Sequence, residues 1–179
     1  MKKKIITLGL VGAMMLSLVG CGGSSDTKVI EGSSSSNAAE ATTDSTGFVF
    51  AYDGMDIAVD ADVAPIVEKL GEPNQYFESP SCAAEGIGKL YTYSDFEIQT
   101  YPDGDVDRVL YVLLRTDNVA TKEGVDLSSS KDDILAAYEE APAEESDSVV
   151  KYEKNGTTLQ FLFDGDSLIS IEYDSDLNK

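Results

Sequence analysis

Histidine and tryptophan are absent from this chain of 179 residues, and cysteine occurs only twice. The lack of histidine removes the commonest general base and the commonest transition-metal ligand, so no Ser-His or Cys-His nucleophile can form. Two cysteines, Cys21 and Cys82, cannot supply a framework of several disulfides. The missing tryptophan weakens the case for a sugar-stacking site. These absences argue against an enzyme, and we expect no metal and no other cofactor.

Basic residues are also scarce. Lysine and arginine total 13 against 33 aspartates and glutamates, which gives a formal net charge of −20. Such a chain repels nucleic acid and anionic lipid headgroups, so we expect no nucleic-acid partner. The charge is expected to keep the folded part soluble and away from the membrane surface. A basic partner is compatible with this charge but is not required by it.

The first 21 residues have the layout of a bacterial lipoprotein signal. Three lysines precede an uncharged apolar run, Ile5–Gly20, which is short for a membrane-spanning helix. The segment Leu18-Val19-Gly20-Cys21 resembles a lipobox, in which a small residue precedes the cysteine that receives diacylglycerol. The resemblance predicts a signal peptide over 1–20 and an acylated (palmitate-type) Cys21 on the extracytoplasmic face of the cell membrane. The alternative is an ordinary signal peptide or membrane helix with an incidental cysteine.

Residues 21–46 are rich in serine, glycine, alanine and threonine. This composition predicts a flexible linker with an r.m.s. reach of about 25–30 Å, so the folded domain is expected to span 47–179. Lipidation of Cys21 would leave Cys82 without an intramolecular partner. A free cysteine is usually buried as a small apolar side chain, and we expect that here. A reactive thiol and an intermolecular bridge are the alternatives.

Turn and capping signals divide the domain into strands and helices. Asp53-Gly54 lies between two alternating apolar runs and predicts a β-hairpin. A helix is expected between Asp62 and Gly71, and a second one is expected after the capping box Ser130–Asp133. Strands are predicted at Lys89–Ser94, Phe96–Tyr101, Asp107–Arg115, Val149–Glu153, Thr157–Phe163 and Leu168–Tyr173.

Two further expectations concern the course of the chain. Segment 74–88 is predicted to be a long loop that contains Pro80 and Cys82, and segment 143–148 is predicted to be an acidic loop. The strand at Asp107–Arg115 has apolar residues at both parities. It is therefore expected to be a central strand that is covered on both faces.

The order of elements recurs along the domain. Tyr91–Asp105 aligns with Tyr152–Asp166 without a gap, and a predicted helix precedes each segment. We therefore predict an α+β fold of two tandem helix-plus-antiparallel-strand repeats, about 55–115 and 128–174, which form one curved sheet with the helices on one face. The alternative is that any two hairpins built on Asp-Gly turns look alike.

This organisation resembles the beta-lactamase-inhibitor-protein-like fold, and the chain also resembles uncharacterised lipoproteins of Gram-positive anaerobes. The segments that carry the second resemblance are Ser81-Cys82-Ala83, Tyr91-Thr92-Tyr93, Phe96-Glu97-Ile98, Thr100-Tyr101-Pro102 and Thr121-Lys122-Glu123-Gly124. The resemblance covers about residues 48–174 and implies a concave sheet face that is open to a protein partner. The secreted inhibitor has a disulfide in each unit and this chain does not, and none of its inhibitory-loop residues can be matched here.

Strand parity predicts the open face of this sheet. The side chains expected to face the helices are Phe96, Ile98, Leu159, Phe161 and Phe163. The side chains expected to face away are Glu97, Gln99, Tyr101, Thr158 and Gln160. Together with two aromatic residues of the preceding loop, the candidate partner-binding residues are Tyr76, Phe77, Gln99, Tyr101 and Gln160. The alternative is that the tyrosines are ordinary half-buried side chains.

Acidic residues suggest two sites that we judge to be surface features. Asp103, Asp105 and Asp107 have the spacing that opens a calcium loop, but Arg108 stands where that loop requires glycine. The same Asp-Gly-Asp pattern recurs at 164–166, so a hairpin turn is predicted at both places. Paired glutamates on the predicted helices are expected to form solvated faces.

The sequence favours a non-catalytic, membrane-anchored extracytoplasmic module that binds an envelope or secreted protein or peptide. The alternatives are a carboxylate-dependent hydrolase and a structural or assembly lipoprotein of the cell envelope. A close cluster of acids with a raised pKa would favour the hydrolase. An open, uncharged aromatic sheet face would favour binding.

Overall fold

The computed structural model describes residues 47–178, so the predicted signal peptide, the lipidated Cys21 and the linker lie outside the described residues. The helices of the described part are α1 (Val63–Leu70) and α2 (Lys131–Ala137). Its strands are β1 (Val49–Tyr52), β2 (Met55–Ala58), β3 (Gln75–Pro80), β4 (Ile87–Thr92), β5 (Phe96–Asp103), β6 (Val106–Leu114), β7 (Glu144–Glu145), β8 (Val149–Lys154), β9 (Thr157–Asp164) and β10 (Ser167–Ser175). Neither helix within 47–178 is long and apolar enough to cross a membrane.

Eight strands form one antiparallel sheet in the order β3-β4-β5-β6-β10-β9-β8-β7. Most neighbours in this sheet are also neighbours in sequence, since short connections favour hairpins. The exception is the pairing of β6 with β10, which places Val112 opposite Tyr173. Strand β6 is therefore central, as predicted, and β3 and β7 are the two edges of the sheet. Strands β1 and β2 form a separate two-stranded sheet.

The predicted α+β fold of two helix-plus-strand repeats is wrong. Strands account for 48% of the structure and helices for only 11%, and the helices have just 8 and 7 residues. Part of the reason is that two segments predicted as loops pair as strands. Strand β3 lies within 74–88 and strand β7 within 143–148. The domain is mostly β and is built on a large antiparallel sheet.

Predictions of local turns and caps are confirmed. Asp53 and Gly54 have φ values of 46° and 71° and join β1 to β2, and positive φ at both positions is what this two-residue hairpin turn requires. Asp62 caps α1 by accepting the N–H of Ala64 at 2.9 Å. The capping box at Ser130 opens α2.

A hydrophobic core joins the large sheet, the β1–β2 hairpin and both helices. The five strand side chains that parity predicted to face the helices are all buried in this core. Helices α1 and α2 contribute Ile66 and Ile134 to it, and the hairpin contributes Phe50. The ring of Phe50 lies 5.1 Å from that of Phe96, edge to face. The core therefore fixes one face of the sheet as internal and leaves the other as a surface.

Two predictions of burial are wrong. Cys82 is exposed, because it lies in the surface connection between β3 and β4 rather than on a core-facing strand position. On β6, Tyr111 and Leu113 are only half-buried, because they lie on the face of the sheet opposite the core. Strand β6 is thus central but is not fully covered on both faces.

Candidate binding surface

The outer face of the large sheet, opposite the core, carries two rows of side chains. The strand register aligns one row across six strands: Phe77, Leu90, Gln99, Tyr111, Asp174 and Thr158. A second row runs beside it: Thr92, Glu97, Leu113, Glu172, Gln160 and Lys151. Carboxyl groups therefore occupy the middle of the face, which is not an uncharged aromatic surface.

The candidate partner-binding residues do not form one patch. Phe77, Gln99 and Gln160 lie on the outer face, and the side chain of Phe77 is 63% exposed. Tyr76 precedes Phe77 on β3, so it points to the opposite face. There its ring lies 5.2 Å from the ring of Tyr91. The two aromatic residues of β3 thus lie on opposite faces of the sheet.

Tyr101 cannot offer its ring to a partner, since only 6% of the residue is exposed. Its hydroxyl donates to Asp60 Oδ1 at 3.0 Å, and the hydroxyl of Ser175 donates to the same oxygen at 2.7 Å. Burial and this hydrogen bond raise the pKa of Tyr101 to about 12. The covering segment follows β2, where the N–H of Asp60 donates to the Val109 carbonyl at 2.8 Å. Parity identified the strand face of Tyr101 but not this covering segment.

A cluster of three acids that sequence reasoning missed lies in the middle of the outer face. Glu172 and Asp174 are two positions apart on β10, so they point to the same side, and Glu97 lies across β6 from Glu172. Glu97 accepts a charged hydrogen bond from Arg115 Nη1 at 2.5 Å. Glu172 accepts one from Gln160 Nε2 at 3.2 Å. The predicted strand ended at Tyr173, so it excluded Asp174. The sequence therefore did not indicate that Glu172 and Asp174 lie on the same face of one strand.

Electrostatics distinguish this acid cluster from a solvated surface. Burial, and then the nearby charge of Asp174, raise the pKa of Glu172 to about 7. Burial also raises the pKa of Asp174. Because the two carboxyls interact closely, they titrate as a pair and hold a proton up to near-neutral pH. The pair can therefore donate or accept a proton at that pH.

A second feature, the β3 edge, consists of Tyr76, Phe77 and Glu78 of β3 together with Ile87 of β4. Five large apolar side chains are exposed in the described part of the chain, and three of them belong to this edge. Tyr76 is 50% exposed, Phe77 63% and Ile87 48%. Tyr76 and Ile87 lie on the helix side of the sheet and Phe77 on the outer side. The apolar surface therefore wraps around the edge of the sheet.

A pocket of about 270 Å³ lies on the helix side of the sheet, between α1, β4 and the start of β6. Val67 and the ring of Tyr91 contribute to its walls. Lys89 Nζ pairs with Asp107 Oδ2 at 2.5 Å, and this contact raises the pKa of Lys89. Asp105 also lines the pocket and makes no hydrogen bond or ion pair within the described residues. The excess of carboxylates over lysine makes this pocket attractive to cations.

Metal binding finds no support in the described part of the chain. Within 47–178 no group of three or more Cys, Asp or Glu side chains is placed to hold a metal ion. The segment from Asp103 to Asp107 forms the hairpin turn between β5 and β6, as predicted, and Gly104 takes a φ of 63° there. The calcium-like spacing therefore reflects turn chemistry.

The fold and this surface define a mostly β, antiparallel domain that has an exposed aromatic strand at one edge of its sheet. No family model matches the chain, and no curated protein or solved structure matches it either. The resemblance to beta-lactamase-inhibitor-protein-like lipoproteins stays a prediction from the sequence.

Proposed function

We propose that this protein is a lipid-anchored, non-catalytic binding module on the extracytoplasmic face of the cell membrane, and that its β3 edge binds an envelope or secreted protein or peptide. The observation that carries the proposal is the gathering of Tyr76, Phe77 and Ile87 at one sheet edge, all about half exposed or more. Large apolar side chains that are exposed close together in this way mark candidate interaction sites in soluble domains. Aromatic side chains are also enriched where interfaces carry most of their binding energy.

The middle of the outer face supports binding less well than the β3 edge does. Its carboxyls are engaged by neighbours of the same domain, as the bonds from Arg115 to Glu97 and from Gln160 to Glu172 illustrate. A partner would have to break these contacts before it gained any of its own. Phe77 and Ile87, in contrast, offer exposed apolar area that costs little to desolvate.

Replacing Phe77 with serine is expected to weaken partner binding by about tenfold or more, because truncation of an interface aromatic removes a large contact area. The full-length protein, purified in mild detergent, would first be cross-linked to envelope and secreted proteins of the source bacterium. The partner that is identified would then be purified, and its dissociation constant would be measured by calorimetry against the native chain and the variant.

The matched control for this experiment is Ile169→Ser, which removes an apolar side chain of similar exposure from β10. The control is expected to bind as the native chain does. Equal affinities for the native chain and the Phe77→Ser variant would exclude the β3 edge as the binding surface. Equal losses in both variants would indicate non-specific adhesion, and the proposal would fail in that case as well.

Replacing Cys21 with serine is expected to move the protein from the membrane fraction into the soluble or secreted fraction. The predicted thioether cannot form on serine, and each acyl methylene lost removes about 0.8 kcal/mol of membrane binding. Fractionation with an antibody to the domain measures the change. Mass spectrometry of the N-terminal peptide supplies the control, because the native chain should begin at Cys21 and carry diacylglycerol. An unmodified cysteine would contradict the anchor.

One observation favours a second candidate function, a carboxylate-dependent hydrolase. Glu172, with its pKa raised to about 7, has the protonation behaviour of a general acid, and Asp174 lies beside it. Asp174 and Glu97 are buried, which leaves Glu172 as the most accessible member of the cluster. A panel of nitrophenyl glycosides and esters tests this candidate. Turnover that is lost on Glu172→Gln would support it, and no turnover above the rate in buffer would exclude it for these substrates.

A further inference from the structure

The two edges of the large sheet differ in how they are protected. Strand β7 is only two residues long and consists of Glu144 and Glu145, which is a charged, short edge of the kind that prevents pairing with other chains. Strand β3 has six residues, five of them exposed, and its only charged side chain is Glu78. Tyr76 and Phe77 cover its two faces. One edge of the sheet is therefore closed to added strands and the other is open.

The register of β3 shows which backbone groups face outward. The N–H of Ser81 donates to the Gly86 carbonyl at 2.9 Å, one step beyond the last paired residues of β3 and β4. Because bonded and non-bonded pairs alternate along antiparallel strands, Phe77 and Ser79 bond to β4. Tyr76 and Glu78 then turn their N–H and C=O groups away from the sheet. Pro80 has the same parity, so its missing N–H falls on the free edge.

We propose that the β3 edge binds its partner by strand addition, and that the occupant is an extended segment with basic side chains. The proposal rests on the proposed function and names its binding mode. The outward groups of Tyr76 and Glu78 supply backbone hydrogen bonds for an added strand. Alternate side chains of that strand fall beside Phe77 on one face and beside Tyr76 and Glu78 on the other.

Charge argues for a basic occupant. The chain has a net charge of −20. On the helix side of the edge, Glu78 lies opposite Lys89 in the strand register, but the ammonium of Lys89 is paired with Asp107. Glu78 accepts a hydrogen bond from the neutral hydroxyl of Tyr76, so within the described residues no cation is paired with its negative charge. A lysine or arginine in the added strand can lie against the aromatic ring of Tyr76 and reach the carboxylate of Glu78. Opposite charges in neighbouring strands stabilise the pair.

A second copy of this chain fits the edge less well. Two copies would bring chains of net charge −20 together, and their Glu78 side chains would approach each other when the β3 strands paired. Self-association is therefore an outcome that the experiment must detect. Sedimentation of the full-length protein without peptide, in detergent micelles, reports it directly. A dimer that is abolished by Glu78→Pro, which removes the outward N–H, would overturn the proposal.

Two substitutions at one residue separate backbone pairing from charge. Glu78→Pro removes both an outward N–H and the charge of Glu78, but none of the bonds between β3 and β4, so the domain should keep its fold. Glu78→Gln removes only the charge, so the difference in affinity between the two variants reports the N–H. The probe is a capped heptapeptide that alternates valine and lysine, added to the full-length protein in detergent. We expect Glu78→Pro to weaken its binding by about tenfold or more, and Glu78→Gln by about two- to fivefold.

Hydrogen exchange gives a readout that only strand addition produces. The amides of Tyr76 and Glu78 should exchange freely in the protein alone and become protected when the heptapeptide binds. The amides of Phe77 and Ser79 should be protected throughout, and in Glu78→Pro they verify that β3 still pairs with β4. Absence of binding, equal affinity for Glu78→Pro and the native chain, or binding without protection at Tyr76 and Glu78 would each overturn strand addition.

The same variants separate this inference from the proposed function. A natural partner that is lost by Phe77→Ser but retained by Glu78→Pro would leave the binding module in place and exclude strand addition. A partner retained by both variants would exclude the β3 edge altogether. A partner lost by both but still bound by Glu78→Gln, with the fold of each variant intact, would support the edge and the strand-addition mode together.

Discussion

Replacing Phe50 with alanine is expected to lower the free energy of unfolding by about 3–5 kcal/mol, the range for a fully buried phenylalanine. Phe50 is completely buried on β1, and its ring lies 5.1 Å from Phe96 and 6.1 Å from Tyr173. These two contacts reach β5 and β10 of the large sheet. Since β1 and β2 form their own two-stranded sheet, Phe50 is a main contact by which this hairpin docks on the rest of the domain.

Denaturant unfolding of both proteins at one pH measures the loss for Phe50→Ala. The matched control is Phe77→Ala, which is the same chemical change at a side chain that is 63% exposed. The control should change the free energy of unfolding by less than about 1 kcal/mol. A loss below about 1 kcal/mol for Phe50→Ala would mean that the hairpin is not docked in solution, and it would contradict the core described above.

Short-range features of the fold were predictable because their causes lie within a few residues. The turn at Asn155-Gly156, like the one at Asp53-Gly54, has positive φ at both residues, and few other residue pairs tolerate that conformation. The cap of α1 depends on one carboxylate, that of Asp62, and on an N–H two residues away. Such local rules operate whatever the surrounding fold is.

Strand β3 was missed for a physical reason. A strand is recognised by alternating burial, but β3 lies at the edge of the sheet with both of its faces exposed. Tyr76 and Phe77 are adjacent, so the apolar residues show no alternation, and Pro80 is typical of a loop. Proline is compatible with an edge strand whose N–H faces outward. The exposure of both faces prevented β3 from being predicted as a strand, and the same exposure makes it the candidate binding edge.

The features that could not be predicted from the sequence depend on pairing between strands that are distant in sequence. The α+β prediction failed on the proportion of strand to helix. That proportion depends on which segments find a neighbouring strand to pair with. The acid cluster depends on β6 pairing with β10, which places Leu113 between Glu97 and Glu172. No local pattern encodes that pairing. The burial of Tyr101 likewise requires Asp60, 41 positions away in sequence.

Replacing Glu172 with glutamine is expected to stabilise the protein at about pH 8 by up to about 3 kcal/mol and to change its stability little at about pH 4. The reason is that burial and the neighbouring Asp174 raise the pKa of Glu172 to about 7 from an ordinary value of 4.5. Glutamine resembles the protonated carboxyl and can keep the contact with Gln160, but it never carries the charge that the site disfavours.

The direction of the pH dependence follows from proton binding. Between about pH 4.5 and pH 7 the unfolded chain has released the proton of Glu172 while the folded chain still holds it. Stability therefore falls as the pH rises through this window, and it levels off above the folded-state pKa. Glu97 and Asp174, which lie beside Glu172 on the outer face, add to the effect, since more negative charge there disfavours ionisation further.

Denaturant unfolding of the native chain and of Glu172→Gln at a series of pH values tests this prediction. The difference in free energy of unfolding should be near zero at about pH 4 and should grow to its full size between about pH 5 and pH 7. Because removing any negative charge from so acidic a chain relieves some repulsion, exposed Glu153→Gln serves as the control for net charge. A difference that is constant across the pH range, or a variant less stable than the native chain at about pH 8, would contradict a raised pKa at Glu172. Glu172 would then behave as a solvated carboxylate. That result would also remove the support for Glu172 as the general acid of a hydrolase.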